Sequence, residues 1–361
     1  RLNPNFPWKT RGNAAIALEV SGDQDIAFEL ACRCVEDLAD LPAEGTEPGV
    51  AVSEEKPPAS FYEKALRSFC QREEAVAVLE AAWAMYRGWK GGRGLIGAAA
   101  AIASDLPDLT WELLVYRRPG LWGTQRTIHG ESFFLADAAT ALATWDTVDR
   151  ENGIVVCSPH TPDPVLFGIR GRSPFAVALA RTFLRTEPAG MEQIYLTNQG
   201  TDGHLEGGVI GGLSEGHSYR VPGIVSDRAM TGRGGHVSIP ISDGGLTLRC
   251  MAYEPTKGFR DVVRALVPGD EVEGFGSFKG DSLNLEKINI VGVVRDLRMK
   301  PPLCPACGTR MTSAGRGKGY KCRRCGGRAA EGEVRARSRR IAPGWYEVPP
   351  SARRHLARPL L

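Results

Sequence analysis

The sequence predicts an α+β chain of several domains: a layered α/β body, then a small β-barrel, then a cysteine-rich ribbon. Three observations predict it. Strand-like and helix-like apolar periods alternate through the first 215 residues. After Gly216 the pattern turns to short strands broken by turn residues. Near the end, four of the nine cysteines fall between Cys304 and Cys325. A chain of 361 residues can bury such cores, and 24% charged residues is ordinary for a globular protein. The longest small-apolar run, around Leu95–Ala103, is too short to cross a bilayer, and no leader pattern points to secretion. Cys32, Cys34, Cys70, Cys157 and Cys250 are scattered, as free thiols in a reducing cytoplasm are.

Taken in order, Ala14–Val20 is expected as a short strand. Ile26, Leu30, Cys34, Leu38 and Leu41 recur at helical spacing. "LPAEGTEPGVAVSEEKPP" is a connection with one strand, "GVAVSE", inside it. Helices are expected over 60–69 and 73–89, and again after the glycines of "GGRGLIGAAAAIASDL". Amides at the start of that last helix can meet a phosphate, although the spacing matches neither the P-loop nor the dinucleotide fingerprint. "TWELLVYRRP" and 154–157 are strands, 174–185 is a helix, and "QIYLT" is a strand. Beyond Gly216, "YRVPGIVSD", "GHVSIPISD" and "LTLRCMAYE" are strands, "TKGFRDVVRALV" is a helix, and "DEVEGFGSF" and "LEKINIVGVV" are strands. That order is the order of an OB-fold, a barrel that often grips nucleic acid; the alternative is a five-stranded barrel without that role.

The chemistry sits in a few places. Cys304-Pro-Ala-Cys307 and Cys322-Arg-Arg-Cys325 are two CxxC pairs separated by 14 residues, each followed by glycine. Each pair can fold as a knuckle presenting two thiolates to one tetrahedral zinc ion. A redox dithiol or an iron–sulfur centre does not explain the paired spacing in a segment too small for its own core. The charge is lopsided: 301–361 carries 14 Lys and Arg against 3 Asp and Glu. A basic end on an acidic body suits a polyanion, or is a solvated extension. "YLTNQGTDGHL" places Asn198, Gln199, Thr201, Asp202 and His204 in a loop after a strand, either a ligand loop or a turn capping itself. "CSPHTPDPVLFGIRG" carries His160 and Asp163, with Arg170 downstream, and "TWDTVD" offers Asp146 and Asp149 for a metal, a cation or a turn.

Together, "LNPNFPWKTRGNAA", "GRGLIGA", "TWDTVD", "SPHTPDPVLFGIRG", "TNQGTDGHL", the barrel and "CPACG…CRRCG", in that order, resemble the archaeal tRNA 2-agmatinylcytidine synthetases. The resemblance implies a kinase-like domain interleaved with a ferredoxin-like domain over 1–215, an OB-fold over 216–298, a zinc ribbon over 299–332 and a basic C-terminal tail over 333–361. It implies a cytoplasmic ligase that joins agmatine, with ATP and Mg2+, to the wobble cytidine of the isoleucine tRNA with anticodon CAU. A structural Zn2+ on Cys304, Cys307, Cys322 and Cys325 is expected. So are an ATP or substrate role for Lys9, Arg11, Asn13, Asn198, Gln199 and Thr201, and a catalytic role for Asp202, Asp149 and His160. Arg323, Arg324, Arg335, Arg337, Arg339 and Arg340 are expected on RNA phosphates. In the family a Gly-Ile-Asp-Asp-Thr-Asp strand precedes the opening loop. Nothing here matches it, so the chain is expected to lack its first segment and the main catalytic acids. The alternative function is a non-catalytic tRNA-binding protein or fragment that keeps the barrel and ribbon.

Overall fold

The computed structural model describes residues 1–3 and 14–360. Four units follow one another. The first holds helix α1 (Gln24–Leu38), strand β1 (Gly49–Val52), α2 (Ala59–Arg67), α3 (Arg72–Ala81), β2 (Met85–Gly88) and α4 (Gly94–Ile102). β1 and β2 pair antiparallel, and Phe61, Cys70, Ala75, Leu79, Leu95 and Ala99 form the core beneath them. Gly49 and Gly94 let α4 press onto β1, since a Cβ on either would collide with backbone of the other segment. The start of α4 meets the chain itself: Gly94 N–H donates to the Glu47 carbonyl at 2.9 Å and Arg93 N–H to its carboxylate at 3.4 Å. A phosphate there would face Glu47.

Three local expectations need correction here. The helix expected to reach Trp89 ends at Ala81, because Trp83 adopts φ 51° and turns the chain into β2. Residues 14–20 form no strand beyond a bridge from Ala15 to Leu2, and Leu18 is 79% exposed. The apolar stripe of α1 is real, yet Ile26, Leu30 and Leu38 are exposed and only Cys32 is buried.

The second unit is an antiparallel sheet in the order β4-β7-β3-β8, formed by β3 (Thr110–Arg117), β4 (Thr144–Trp145), β7 (Val165–Gly171) and β8 (Ala189–Thr197). A small pair, β5 (Val148–Asp149) and β6 (Ile154–Val155), lies in its connections. Helices α5 (Gly130–Ala139) and α6 (Pro174–Phe183) bury Leu113, Val115, Phe167 and Ile169 on one face. Period-two alternation sends Glu112 and Arg170 to the other face.

The third unit is a barrel. β9 (Leu205–Gly207) leads into β10 (Ser218–Val225), β11 (Met230–Thr231), β12 (Val237–Asp243) and β13 (Leu246–Ala252). Helix α7 (Phe259–Ala265) then precedes β14 (Glu271–Lys279) and β15 (Ser282–Gly292). β10 pairs with β14 and β12, β14 with β15, and β15 runs parallel to β13, which closes the ring. Alternate residues such as Val221, Ile239, Leu248, Leu283 and Ile288 fill it, with Phe259 and Val263 of α7 packed on the same core. The connectivity is that of an OB-fold.

The fourth unit stands on a two-stranded stalk, β16 (Asp296–Lys300) with β20 (Glu333–Arg337). Strands β17 (Thr312–Ser313), β18 (Tyr320–Lys321) and β19 (Arg328–Ala329) form the ribbon between them. The expected tail is not a tail. β21 (Gly344–Glu347) adds to β15 of the barrel, Val348 is buried in the barrel core, and residues 351–358 return to the body. Apolar residues such as Tyr346, Val348 and Leu356 dock it, and a charge count does not register them.

Candidate functional site

The loop after β8 is the centre of the site. Asn198 is buried and ties three segments together: its carbonyl accepts from Asn3 N–H at 2.9 Å, and its amide donates to Asn3 O at 3.0 Å and Tyr62 OH at 3.3 Å. Gln199 is fully buried beside Thr197. Thr201 Oγ1 donates to Asn198 O at 2.7 Å and closes the turn. Gly200, at φ 69°, lies on the Trp145 ring, where a Cβ would come within 3.0 Å.

Asp202 has φ 61°, a conformation aspartate tolerates better than most residues. Its carboxylate accepts from Lys287 Nζ at 2.8 Å and from Arg358 N–H at 2.7 Å. Two residues on, His204 Nε2 donates to Glu286 at 3.0 Å, both buried. The β14–β15 register slips at Glu286, so the barrel offers Glu286 and Lys287 to this one loop. Burial alone would raise the Glu286 carboxyl; His204, then Arg354 and Lys287, outweigh it and hold the carboxyl below its usual range.

The returning C-terminal segment supplies the rest. His355 O accepts from Gly200 N–H at 2.8 Å and Leu356 O from Asp202 N–H at 2.9 Å. Arg353 pairs with Asp146 and, at 2.6 Å, with Glu347. Arg170 reaches Asp146 at 3.4 Å and Glu112 at 3.7 Å and donates to His355 Nδ1. Burial pushes the Asp146 carboxyl up, against the pull of both arginines, while Arg170 and then burial push His355 down to about 3. His355 is therefore a neutral acceptor at working pH. Asp149 accepts from Ser351 Oγ at 2.6 Å and from Asn152; burial is outweighed by these hydrogen bonds and the carboxyl sits below its usual range.

The structure thus brings Asp146, Asp149, Asn198, Gln199, Thr201 and Asp202 together. It does not bring His160. That residue is exposed in a loop at the Val165 end of β7, about 16 Å along the strand from Arg170. The loop is held there by Arg126, which donates to Pro159 O at 2.8 Å and Asp163 O at 2.9 Å. Lys9, Arg11 and Asn13 lie outside the described residues. Glu112, Glu286, Lys287, Ser351, Arg353 and His355 are members that sequence reasoning missed. "ARRHLARP" carries an embedded Leu and Ala, a signal that it packs.

Two groups can be weighed as metal ligands. Asp202, His204 and Glu286 lie close enough, but Lys287 and Arg358 already occupy Asp202 and the other two pair with each other. They do not fit Mg2+, nor do Asp146 and Asp149, which hold arginines and hydrogen-bond donors. The four ribbon cysteines do fit zinc. Their sulfurs stand 3.4 Å (Cys304–Cys325), 3.5 Å (Cys307–Cys322) and 3.6 Å (Cys307–Cys325) apart. Tetrahedral Zn–S bonds of about 2.3 Å place sulfurs about 3.8 Å apart. Hydrogen bonding with Thr309 draws the Cys307 thiol down, toward the thiolate a metal needs, while at Cys325 the bond from the Gly327 backbone is outweighed by those with the other three thiols, which push it up.

The arginine series divides. Arg323, Arg324, Arg337 and Arg340 are exposed with no carboxylate partner among the described residues. Arg335 pairs with Glu333 at 2.8 Å. Arg339 is a correction: its guanidinium is turned inward onto fully buried Asp270 and the carbonyl of Val294, so it anchors the stalk and offers nothing to RNA.

Known proteins align with this architecture in sequence. Residues 1–88 match the TiaS TCKD domain, 92–204 the TiaS FLD domain and 301–341 the TiaS C-terminal zinc ribbon domain. The tRNA(isoleucine-2) 2-agmatinylcytidine synthetase TiaS of Methanocorpusculum labreanum is 50% identical over 360 residues, 99% of this chain and 86% of the relative. That of Methanosarcina acetivorans is 44% identical over 376 residues, covering 100% of this chain and 87% of the relative. Among solved structures, a complex of TiaS with tRNA(isoleucine-2) and ATP superposes with TM-score 0.88 at 42% identity, over 99% of this chain and 86% of that one. A complex of TiaS with tRNA(isoleucine-2), AMPCPP and agmatine superposes with TM-score 0.83 at 40% identity, over 93% and 81%.

Proposed function

The chain belongs to the TiaS family of tRNA(isoleucine-2) 2-agmatinylcytidine synthetases, and we propose on that premise how its parts divide the work. It is an ATP-dependent ligase that joins agmatine to the wobble cytidine of the isoleucine-2 tRNA. The observation that carries this is the alignment of nearly the whole chain, body, barrel and ribbon alike, with the tRNA- and ATP-bound relative.

The chemistry sets what the residues must do. The carbonyl oxygen on ring carbon two of cytosine is a poor leaving group, so it takes a phosphoryl group from ATP, and the agmatine amine then displaces phosphate. Such transfer needs positioned charge more than covalent help. Residues 1–215 form the catalytic body, 216–298 the OB-fold and 299–332 the ribbon; of 333–361, residues 333–337 complete the stalk and 344–361 serve as a return segment. Asn198, Gln199, Thr201, Asp202 and Asp149 shape the pocket wall by holding their loops at fixed positions. ATP enters with its own Mg2+, since no described carboxylate of the site is free to hold that ion. Cys304, Cys307, Cys322 and Cys325 hold Zn2+, which supplies the folding energy of the ribbon. The exposed ribbon arginines contact tRNA phosphates. The reaction takes place in the cytoplasm, where the scattered thiols stay reduced; no helix among the described residues is long and apolar enough to cross a membrane.

The test uses protein produced from its gene, labelled agmatine, ATP and a transcript of the isoleucine tRNA with anticodon CAU. Label should enter the tRNA only with ATP and only when the wobble base is cytidine. ATP-independent labelling, or equal labelling of a wobble-uridine transcript, would refute the reading.

A further inference from the structure

Helices α5 and α6 lie side by side on one face of the second sheet, and their outer surface is apolar. Leu135 and Ala138 of α5 face solvent, with Leu142 in the turn that follows, and Phe175, Ala178 and Leu179 of α6 do the same. Phe175 is 75% exposed and Leu142 66%. Spacings of three and four make each set a stripe on the side away from the sheet. Leu142 holds φ 66°, which glycine or asparagine adopts with less strain, so the turn by itself does not select a leucine. The helix charges nearby pair at the flanks: Asp137 with Arg150 at 2.7 Å and Arg181 with Glu192 at 2.6 Å. Thr182, next on the α6 stripe, donates its hydroxyl to Leu179 O at 2.7 Å. Exposed charges stand only at the ends of the patch, Glu131 and Arg185 at one and Arg172, beside Ala143, at the other.

A centre without charge and a rim with both signs is the layout of a protein interface. A nucleic acid is a poor occupant, because no cation stands at the centre to meet a phosphate. Small Ala138 and Ala178 beside large Leu135 and Phe175 put ridge and groove on the same patch, so the surface suits a copy of itself. The six side chains expose on the order of 500 Å². Closing two such patches on each other buries about 1,000 Å² in all, which reaches the size a specific interface needs. We propose that this face docks on the same face of a second copy in a two-fold dimer. An axis crossing the helices sets Glu131 of each copy over the Arg172 end of the other, and Leu142 and Phe175 leave water. The opposite sheet face carries Glu112 and Arg170, so both sites of the dimer stay open.

The test is sedimentation velocity of the whole protein without tRNA, from about 1 to 100 µM chain. An interface at the small end of the specific range gives a dissociation constant on the order of 10 µM, so the series should run from monomer to dimer. Leu142→Glu with Phe175→Glu should stay monomeric throughout, because each dimer would bury four unpaired carboxylates. Phe175→Ala, a milder change, should weaken the dimer about tenfold. Met230→Glu, at an equally exposed apolar residue on the barrel, should associate like the parent. Raising salt from about 50 to 500 mM should leave the dimer in place, since apolar contact is not screened. Thermal melts confirm that each variant is folded, as substitutions at exposed positions should be. A parent that is monomeric at the top of the series overturns the proposal. So does dimerisation of the double variant, or a dimer that dissolves in salt, since either places the contact elsewhere. No substrate enters the measurement, so failure of the ligase reading would leave its result unaffected.

Discussion

Asp202 and Arg339 show how neighbouring charges of similar appearance do different things. Asp202→Asn keeps the left-handed turn, which asparagine also tolerates. It leaves Lys287, 3% exposed at its side chain, without its counter-charge. Agmatine transfer should fall at least tenfold, stability by about 2 kcal/mol, and tRNA affinity by less than twofold. Filter binding beside the transfer assay separates these, and an unchanged transfer rate would remove Asp202 from the pocket. Arg339→Ala should cost about 3 kcal/mol of barrel stability, because it strands the buried Asp270 carboxylate; Arg340→Ala should cost nothing in stability and weaken tRNA binding. The Asp270 pair also sets a pH dependence. Burial would raise the Asp270 carboxyl, but Arg339 and the amides of Val267 and Val294 outweigh it, so the folded pKa lies below the unfolded value near 3.9. The stability it contributes is therefore fully present above about pH 4 and is lost as pH falls through the folded value. Denaturant titrations from neutral pH downward should show that acid limb, and Arg339→Ala should shrink it, because the folded pKa then rises toward the unfolded value.

At the scale of elements, the ribbon and the return segment behave in opposite ways. The ribbon buries only Cys304, Met311 and Cys322 fully, too little to fold unaided. Cys307→Ser should abolish zinc binding and open residues 300–333 to protease while the barrel, with its own core, stays intact. Metal analysis that finds one zinc still bound in the variant would contradict this. The return segment depends on the rest of the molecule. Deleting residues after Val348 removes at once the partners that this segment gives to Asp146, Asp149, Gly200 and Asp202. Agmatine transfer should fall below detection, and the Tm should drop by several degrees. Charge in this segment is internal wiring, so its loss should barely change the salt dependence of tRNA binding. A deletion that still transfers agmatine would show that the loops hold themselves.

For the whole molecule, the uneven charge now has an address. Of the basic residues after Pro301, Arg339, Arg353 and Arg358 are committed to Asp270, Asp146 and Asp108. The exposed and unpaired ones cluster on the ribbon and stalk. Replacing Arg323, Arg324, Arg337 and Arg340 together should flatten the log–log salt slope of tRNA binding by about 3, at somewhat under one per phosphate contact. The discrimination between wobble cytidine and uridine should persist, since phosphate contacts position without reading sequence. A slope that does not change would place the RNA elsewhere.

Features set within a few residues are legible in the chain alone. The four-cysteine cluster was legible because two CxxC pairs fix their geometry within a few residues, and the barrel because strand period and turn residues are near-neighbour properties. The order of motifs identified the family. Tertiary structure decided which residues meet. Asp146 and Asp149 are open in the sequence between a metal, a cation and a turn, and Asp202 between a ligand loop and a self-capping turn; only folding supplied Arg353, Ser351 and Lys287 from segments up to some two hundred residues away. His160 looked equivalent to them, and strand direction carried it to the far end of β7. Arg339 and Arg340 are adjacent in a basic run, and the depth of Asp270 alone turned one inward and left the other to solvent. The physical reason is the same each time. Backbone preferences and metal spacing act over a few residues, whereas a charge is assigned its partner by packing of distant apolar segments, which no local pattern records.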